Sequence, residues 1–339
     1  RDKTVLPFRV DYVNTFRVRD GIDNREVEGI DTDSAYMNPK HIASVVSYIL
    51  DHFDQKTKRH ASYQLRDQRV TGFNSLFATS SIKAARAYYL EFQRQQADLP
   101  PARRRSVGII YSYAPNADAP GTGLLAEESM DPSALSQDDR AFLDGAIADY
   151  NQRFGTNFGT DASGFEHYYE HLSRALAEKR IDLVIVVDMF LTGFDSKSLN
   201  TLWVDKNLRA HGLIQAFSRT NRILNSVKTY GNIVCFRNLE QATEDAIALF
   251  GNKEARGQVL LRPYGEYLSS YLETMDQLRA DFPLPIGSIA SEQEQKRFII
   301  LMGQILRLRN ILTSFDDFEG DDPIPSRDLE DYRSIYLDL

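Results

Sequence analysis

Ile181–Asp205, IDLVIVVDMFLTGFDSKSLNTLWVD, is the stretch whose reading decides the fold. Ile181 to Val187 is a short continuous apolar run rich in β-branched residues. That is the pattern of a strand covered on both faces in a parallel sheet. Directly after it, Asp188 to Asp195 makes a loop holding one glycine, Gly193, and two acids, Asp188 and Asp195. It leaves the carboxyl end of the strand, where open α/β sheets bind ligands. Thr201 to Asp205 reads as a second strand, which leads through Lys206 and Asn207 into a helix.

That helix opens Gly212–Arg222, GLIQAFSRTNR, and sets Gln215, Arg219 and Arg222 at the spacing Q-x-x-x-R-x-x-R. With Gly212 to Arg219 helical, Gln215 and Arg219 lie four apart on one face and Arg222 follows just past the helix end. A guanidinium keeps its charge at neutral pH and offers a planar fork of donors. Two of them beside a Gln suit the spread charge of a transferring phosphoryl group. Arginines at this spacing are most often a solvated or salt-bridged helix face. The strand and glycine loop upstream set this pair apart, and loop and arginines are expected to share one edge of the sheet.

The rest of the chain supplies the layers. Val5 to Val13 reads as a strand, followed by an acidic, glycine-containing stretch, so residues 1–37 are expected to connect from a preceding domain. Asn38-Pro39 has the form of an N-cap and a helix-starting proline, with Ile42, Val45, Val46, Ile49, Leu50 and Phe53 on one stripe. Phe73 to Thr79 is the next strand, ending in Thr79, Ser80 and Ser81 before a helix carrying Ala84, Ala85, Tyr88, Tyr89 and Phe92. Hydroxyls at such a junction present backbone N–H groups to a phosphate or simply cap the helix, and both readings stand together. Val107 to Tyr113 is a strand, residues 114–136 a loop, and Gln137–Phe154 and Gly164–Lys179 are helices. Tyr230 to Phe236 closes the sheet. Beyond Asn238 the pattern is helical only, over Leu239–Phe250, Arg262–Phe282 and Glu292–Phe315, broken at Phe282-Pro283-Leu284-Pro285. The expected division is a connector at 1–37, an α/β lobe at 38–239 and a helical domain at 240–339.

Composition bounds the function classes. A chain of 339 residues with 42% apolar content is long enough for two domains with real cores. Its formal net charge of -8 argues against a generic nucleic-acid coat, although a narrow track of phosphate contacts needs no overall positive charge. The single cysteine, Cys235, excludes an internal disulfide framework and fits a reducing cytoplasm. No apolar stretch approaches membrane-spanning length. Basic clusters at Lys56, Lys58, Arg59 and His60, and at Arg103, Arg104 and Arg105, read as solvated turns. His167 and His171 lie four apart without a companion Glu or Cys, so no metal site is assigned. The sequence holds neither a phosphate-cradling G-x-x-x-x-G-K-[ST] loop nor a D-E-x-[HD] acid pair, so this piece alone is not expected to hydrolyse nucleotide.

Phe190 to Ile223, FLTGFDSKSLNTLWVDKNLRAHGLIQAFSRTNRI, resembles helicase motifs V and VI of the R subunit of type I restriction-modification enzymes. The likeness extends from LPFRVDY at Leu6 to Tyr12, through GFNSLFATSS and FGNK, to the helical C-terminal part. It implies a superfamily 2 DNA translocase, in which two RecA-like lobes sandwich ATP and an N-terminal nuclease domain cuts DNA. This chain then corresponds to the second lobe, a RecA-like parallel sheet sandwiched by helices, followed by part of an all-α domain. Carried over by position, Arg222 matches the arginine finger, Arg219 the arginine that touches the γ-phosphate, and Gln215 the polar contact that senses nucleotide. Gly193 and Asp195 match the motif V pair, and Asp188 is a fainter match. Thr79, Ser80 and Thr192 are the implied DNA contacts. ATP and Mg2+ would be bound jointly with a first lobe. The implied partners are double-stranded DNA, the methyltransferase and specificity subunits, and the nuclease and first motor domains of the same polypeptide. Val187 stands where many such motors have Thr, and Ser218 where glycine commonly precedes the first arginine. Two alternatives remain: a lobe of another superfamily 2 motor, or a partner-docking module whose motor lobe is a passive platform.

Overall fold

Six of the strands share one sheet in which every pairing is parallel. The computed structural model describes residues 6–13, 15, 35–111, 135–191, 193–224, 227–250, 263–286, 289, 291–313, 315–318 and 322–339. In chain order the elements of the first part are β1 (Phe8–Tyr12), α1 (Pro39–Lys56), β2 (Ser62–Leu65), β3 (Gln68–Thr71), β4 (Asn74–Thr79), α2 (Ile82–Gln96) and β5 (Val107–Ile110). There follow α3 (Gln137–Phe154), α4 (Ala162–Ala177), β6 (Leu183–Val186), β7 (Leu199–Asp205), α5 (Ala210–Phe217), β8 (Gly231–Cys235) and α6 (Glu240–Phe250). The order across the sheet is β1-β8-β7-β4-β6-β5, and β2 and β3 form a separate antiparallel hairpin.

The continuous apolar runs explain the centre of the sheet. Every residue of β4, β6, β7 and β8 is buried, as expected where helices cover both faces. The predicted helix stripes are the ones that pack inward: Ile42, Val45, Val46, Ile49 and Phe53 on α1, and Ala84, Ala85, Tyr88, Tyr89 and Phe92 on α2. Asn38 caps α1 by accepting from the Lys40 N–H at 2.9 Å, and Pro39 occupies the first turn, where its missing N–H has no partner to lose. Phe165, Tyr168, Leu172 and Leu176 bury one side of α4. His171 is paired with the Tyr150 hydroxyl at 2.7 Å among aromatic rings.

Chain contacts divide the molecule into Arg1–Leu260 and Leu261–Leu339, so the boundary lies beyond the expected 239. The physical reason is that α6 packs against α5, and its Ala246 joins the core of the sheet. The strand expected inside the connector 1–37 is likewise part of the sheet, as its β1 edge. The second unit holds α7 (Tyr264–Asp281), α8 (Glu292–Leu312) and α9 (Ser326–Asp338) around Tyr271, Met275, Phe298, Met302, Ile305 and Tyr332. Among the described residues no helix is long and apolar enough to cross a membrane.

The basic cluster near residue 58 is not a solvated turn. Lys56 and Lys58 are buried, 1% and 2% exposed, because the end of α1 tucks beneath the strands. The Lys56 ammonium is held by Asp11 at 2.9 Å, and the Lys56 carbonyl accepts from Thr201 Oγ1 and Asn232 Nδ2. Arg59 reaches Asp182, which also accepts from the amide and hydroxyl of Ser106 at 2.9 Å each and pairs with Lys179 at 3.2 Å. Burial alone pushes the Asp182 carboxyl up, but Lys179, the Ser106 amide and Arg59 outweigh it and hold the group well below the usual carboxylate range.

A carboxylate depressed in the folded state stabilises the fold above its unfolded pKa, and that contribution disappears as pH falls through the folded value. Asp182→Ala, which strands two cations and an amide, is expected to cost about 3–5 kcal/mol in urea unfolding at pH 7. The gap from wild type should narrow as the pH is taken below about 4. A loss under about 1 kcal/mol would mean that the cluster behaves as a surface one.

Candidate functional site

Two consecutive crossovers build the site. β6 and β7 are both parallel to β4, so the Val187–Ser198 connection leaves one edge of the sheet and must arrive at the other. No helix among the described residues of this connection makes the return; the loop itself does. Its tail is anchored at the amino-terminal edge, where the Ser198 hydroxyl donates to the carbonyl of Leu176, near the end of α4, at 2.8 Å. In the same way α5 leaves the carboxyl end of β7, and the residues after it come back to the start of β8. Leu6 N–H donates to the Asn221 carbonyl at 2.9 Å, and a Cβ on Gly231 would overlap Thr220 Oγ1. Gly231 is thus the residue that lets the arginine turn lie directly against the first residue of β8.

Loop and arginines do share an edge, as expected, but it is the amino-terminal edge rather than the carboxyl one. Helix α5 ends at Phe217, two residues earlier than the spacing predicted, and Ser218 caps it. Arg219 therefore sits past the helix end. Its Nε donates back to the Gln215 carbonyl at 3.1 Å, and its Nη1 reaches the Phe194 carbonyl in the glycine loop at 2.7 Å. Both carbonyls orient the guanidinium. Arg222 Nε pairs with Asp195 at 3.0 Å, with the two side chains 41% and 61% exposed. Gly193 has φ +68, the left-handed region where a side chain is strained, and the space its missing Cβ would take is open. Gln215 lies half-buried on α5.

The remaining expected residues fall elsewhere. Thr79 is corrected as a side-chain contact to DNA: it is fully buried, and its hydroxyl donates to the Val186 carbonyl at 3.1 Å. The carbonyl of the neighbouring strand takes up the hydroxyl proton. Ser80 stays half-buried at the carboxyl edge, and Ser81 caps α2 by accepting from the Ala84 N–H at 3.1 Å. Thr192 lies outside the described residues. Asp188 is at the carboxyl edge, paired with Lys206 at 2.6 Å, and does not join the Arg219–Arg222 group.

Sequence reasoning missed a lysine behind this edge. Lys228 is buried and donates to the carbonyls of Lys197 and Leu199. It belongs to a polar, non-periodic stretch, and only its closeness to Arg222 in sequence hinted at it. It also missed a network at the opposite edge, where buried Asp205 accepts from Arg237 at 2.9 Å and Tyr88 at 2.7 Å. Burial would raise the Asp205 carboxyl, but His41, Arg237 and Tyr88 bring it below its ordinary value.

A six-stranded parallel sheet whose β6–β7 loop and post-α5 arginines meet at one edge makes this part an α/β lobe. The family model for type I restriction enzyme subunit R domain 3 matches residues 71–238, and that for the C terminus of the type I restriction and modification enzyme subunit R matches residues 259–339. The chain belongs to the R subunit family of type I restriction enzymes. It is 34% identical, over 99% of its length, to the type I restriction enzyme SauCOLORF180P endonuclease subunit of Staphylococcus aureus strain COL, and covers 35% of that protein. The same figures hold for the SsaAORF53P endonuclease subunit of Staphylococcus saprophyticus. The HindI endonuclease subunit of Haemophilus influenzae is 31% identical over 36% of this chain and 12% of that protein. The chain thus spans about a third of the length of the first two relatives.

An ion pair as exposed as Arg222–Asp195 contributes roughly 0–1 kcal/mol. Asp195→Asn is accordingly expected to shift the urea-unfolding free energy by less than about 1 kcal/mol. A larger loss would assign the pair to stability rather than to a site.

Proposed function

We propose that this chain is the second motor lobe, with part of the helical domain, of a type I restriction enzyme R subunit, and that its amino-terminal sheet edge closes an ATP pocket shared with a first lobe. The observation that carries this reading is the convergence of Arg219 and Arg222 on adjacent residues, Phe194 and Asp195, of the glycine loop. Two elements separated in sequence meet at one rim, where the guanidiniums are the donors a nucleotide polyphosphate calls for and the carboxylate is an acceptor suited to a sugar hydroxyl.

The residues fit that ligand. Arg222 is half-exposed and, among the described residues, paired with an exposed carboxylate, so exchanging it for a phosphate oxygen carries little desolvation cost. Arg219 is oriented by two carbonyls. In this reading Arg222 and Arg219 hold phosphate oxygens, Asp195 takes a sugar hydroxyl, Gln215 senses occupancy from α5, and Gly193 keeps the rim open. ATP with Mg2+ supplies, when bound, a phosphoryl group whose charge spreads over its oxygens during transfer; fixed guanidiniums are suited to stabilise that charge. The two lobes together then drive translocation of double-stranded DNA, with Ser80 on the DNA-facing side and cleavage performed by a nuclease domain of the same polypeptide. The helical unit Leu261–Leu339 is the docking part for the methyltransferase and specificity subunits.

In the intact enzyme, Arg222→Ala is expected to lower DNA-stimulated ATP hydrolysis by about 10³-fold or more and abolish translocation, while loading onto DNA persists. Both are read by coupled ATPase assay and triplex displacement. Loss of loading with normal ATPase would reverse the assignment.

A further inference from the structure

Between Arg222 and β8 the chain passes through Val227–Tyr230, a segment gripped from two sides by ammonium groups. Lys228 Nζ donates to the Leu199 carbonyl at 2.6 Å and to the Lys197 carbonyl at 3.0 Å, the residues where the glycine loop ends and β7 begins. From the other side Lys58 Nζ donates to the Val227 carbonyl at 3.2 Å and Thr229 Oγ1 at 3.4 Å, and lies 4.5 Å from the centre of the Tyr230 ring. Both lysines are essentially enclosed, at 2% and 1% exposure for Lys58 and Lys228.

An enclosed ammonium is an expensive way to fill space, since a methionine of similar length would pack there without desolvation cost. Burial lowers both amines to about 7; for Lys228, Asp195 opposes that shift and Arg222 adds to it. Lys228 therefore stands in the electric field of the same exposed pair that forms the candidate site. Its two carbonyl bonds set the distance between the turn that carries the arginines and the far end of the loop that carries Gly193 and Asp195.

We propose that Lys228 is a positioning residue for the arginine edge, clipping the end of the glycine loop to the segment after Arg222 so that Arg219 and Arg222 keep their register on Phe194 and Asp195. The inference rests on the nucleotide reading above and adds a residue to it. It touches no phosphate itself. Displacing catalytic groups by about 1 Å costs on the order of a hundredfold in rate, so loss of the clip should appear in turnover more than in nucleotide affinity.

The test uses the full-length R subunit in its assembled complex. Lys228→Met is expected to lower kcat of DNA-stimulated ATP hydrolysis by roughly tenfold to a hundredfold, with KM for ATP changed by less than about threefold. Amide hydrogen exchange across residues 193–199 should rise. Lys228→Gln, which retains a donor, should fall between Met and wild type, and it serves as the readout if the Met variant does not fold. Lys56→Met is the matched control, a buried lysine held by Asp11 instead, and should lose stability with kcat and loop exchange unchanged. Normal turnover and normal exchange in a folded Lys228 variant, or an equal kcat loss in Lys56→Met, overturns the proposal. Arg222→Ala measured alongside separates the two ideas. Its normal ATPase would remove the nucleotide reading, whereas its loss beside a normal Lys228→Met would remove only the positioning role.

Discussion

Parallel pairing throughout the sheet is the constraint from which the rest of the lobe follows. Each strand runs the same way, so each connection must carry the chain back from the carboxyl edge to the amino edge before the next strand begins. Between β7 and β8, α5 begins that return; between β6 and β7 the loop alone does, and it delivers Gly193, Phe194 and Asp195 to the edge where the turn after α5 delivers Arg219 and Arg222. Distant pieces of sequence become neighbours through direction alone. Side-chain bonds then fix the register that topology has made available.

Charge at the two edges is handled according to exposure. Around Asp182 and around Asp205, cations and hydroxyls enclose buried carboxylates, and those clusters hold helices and strands together. Removing one partner there leaves an uncompensated charge in a poor solvent for it, which is costly. Arg222 and Asp195 differ in kind. Water already screens them, so their pairing adds little to the fold and either partner is exchanged cheaply. The stable clusters frame the lobe, and the weak pair marks the part able to meet something else.

Much of this was legible in the chain. IDLVIVV, NSLFAT and GNIVC announced buried parallel strands because they lack alternation, and the stripes of α1, α2 and α4 announced the faces that cover them. The Gln215, Arg219 and Arg222 spacing and the glycine loop were read together, and the structure brings the arginines onto that loop. The edge was misplaced because the loop was assigned to the strand it leaves; parallel pairing of β6 with the rest moves its tail to the strand it enters. The β2–β3 hairpin escaped notice because its strands are short and mostly exposed, and its turn at Arg66-Asp67 uses no glycine, Arg66 instead adopting φ 52. Lys56, Lys58 and Thr79 were misread for one reason. Each has a polar tip that finds an internal partner, Asp11, the Val227 carbonyl and the Val186 carbonyl, and no local pattern reveals a partner so far away in sequence.

Strand β1 lies at the sheet margin against β8, and one bond before it, from the Leu6 amide to the Asn221 carbonyl, joins the incoming polypeptide to the residue next to Arg222. Tension applied to the chain ahead of Leu6 is therefore borne along β1 as shear and felt first at the arginine turn. The marginal strand is thus a mechanical lead to the exposed Arg222.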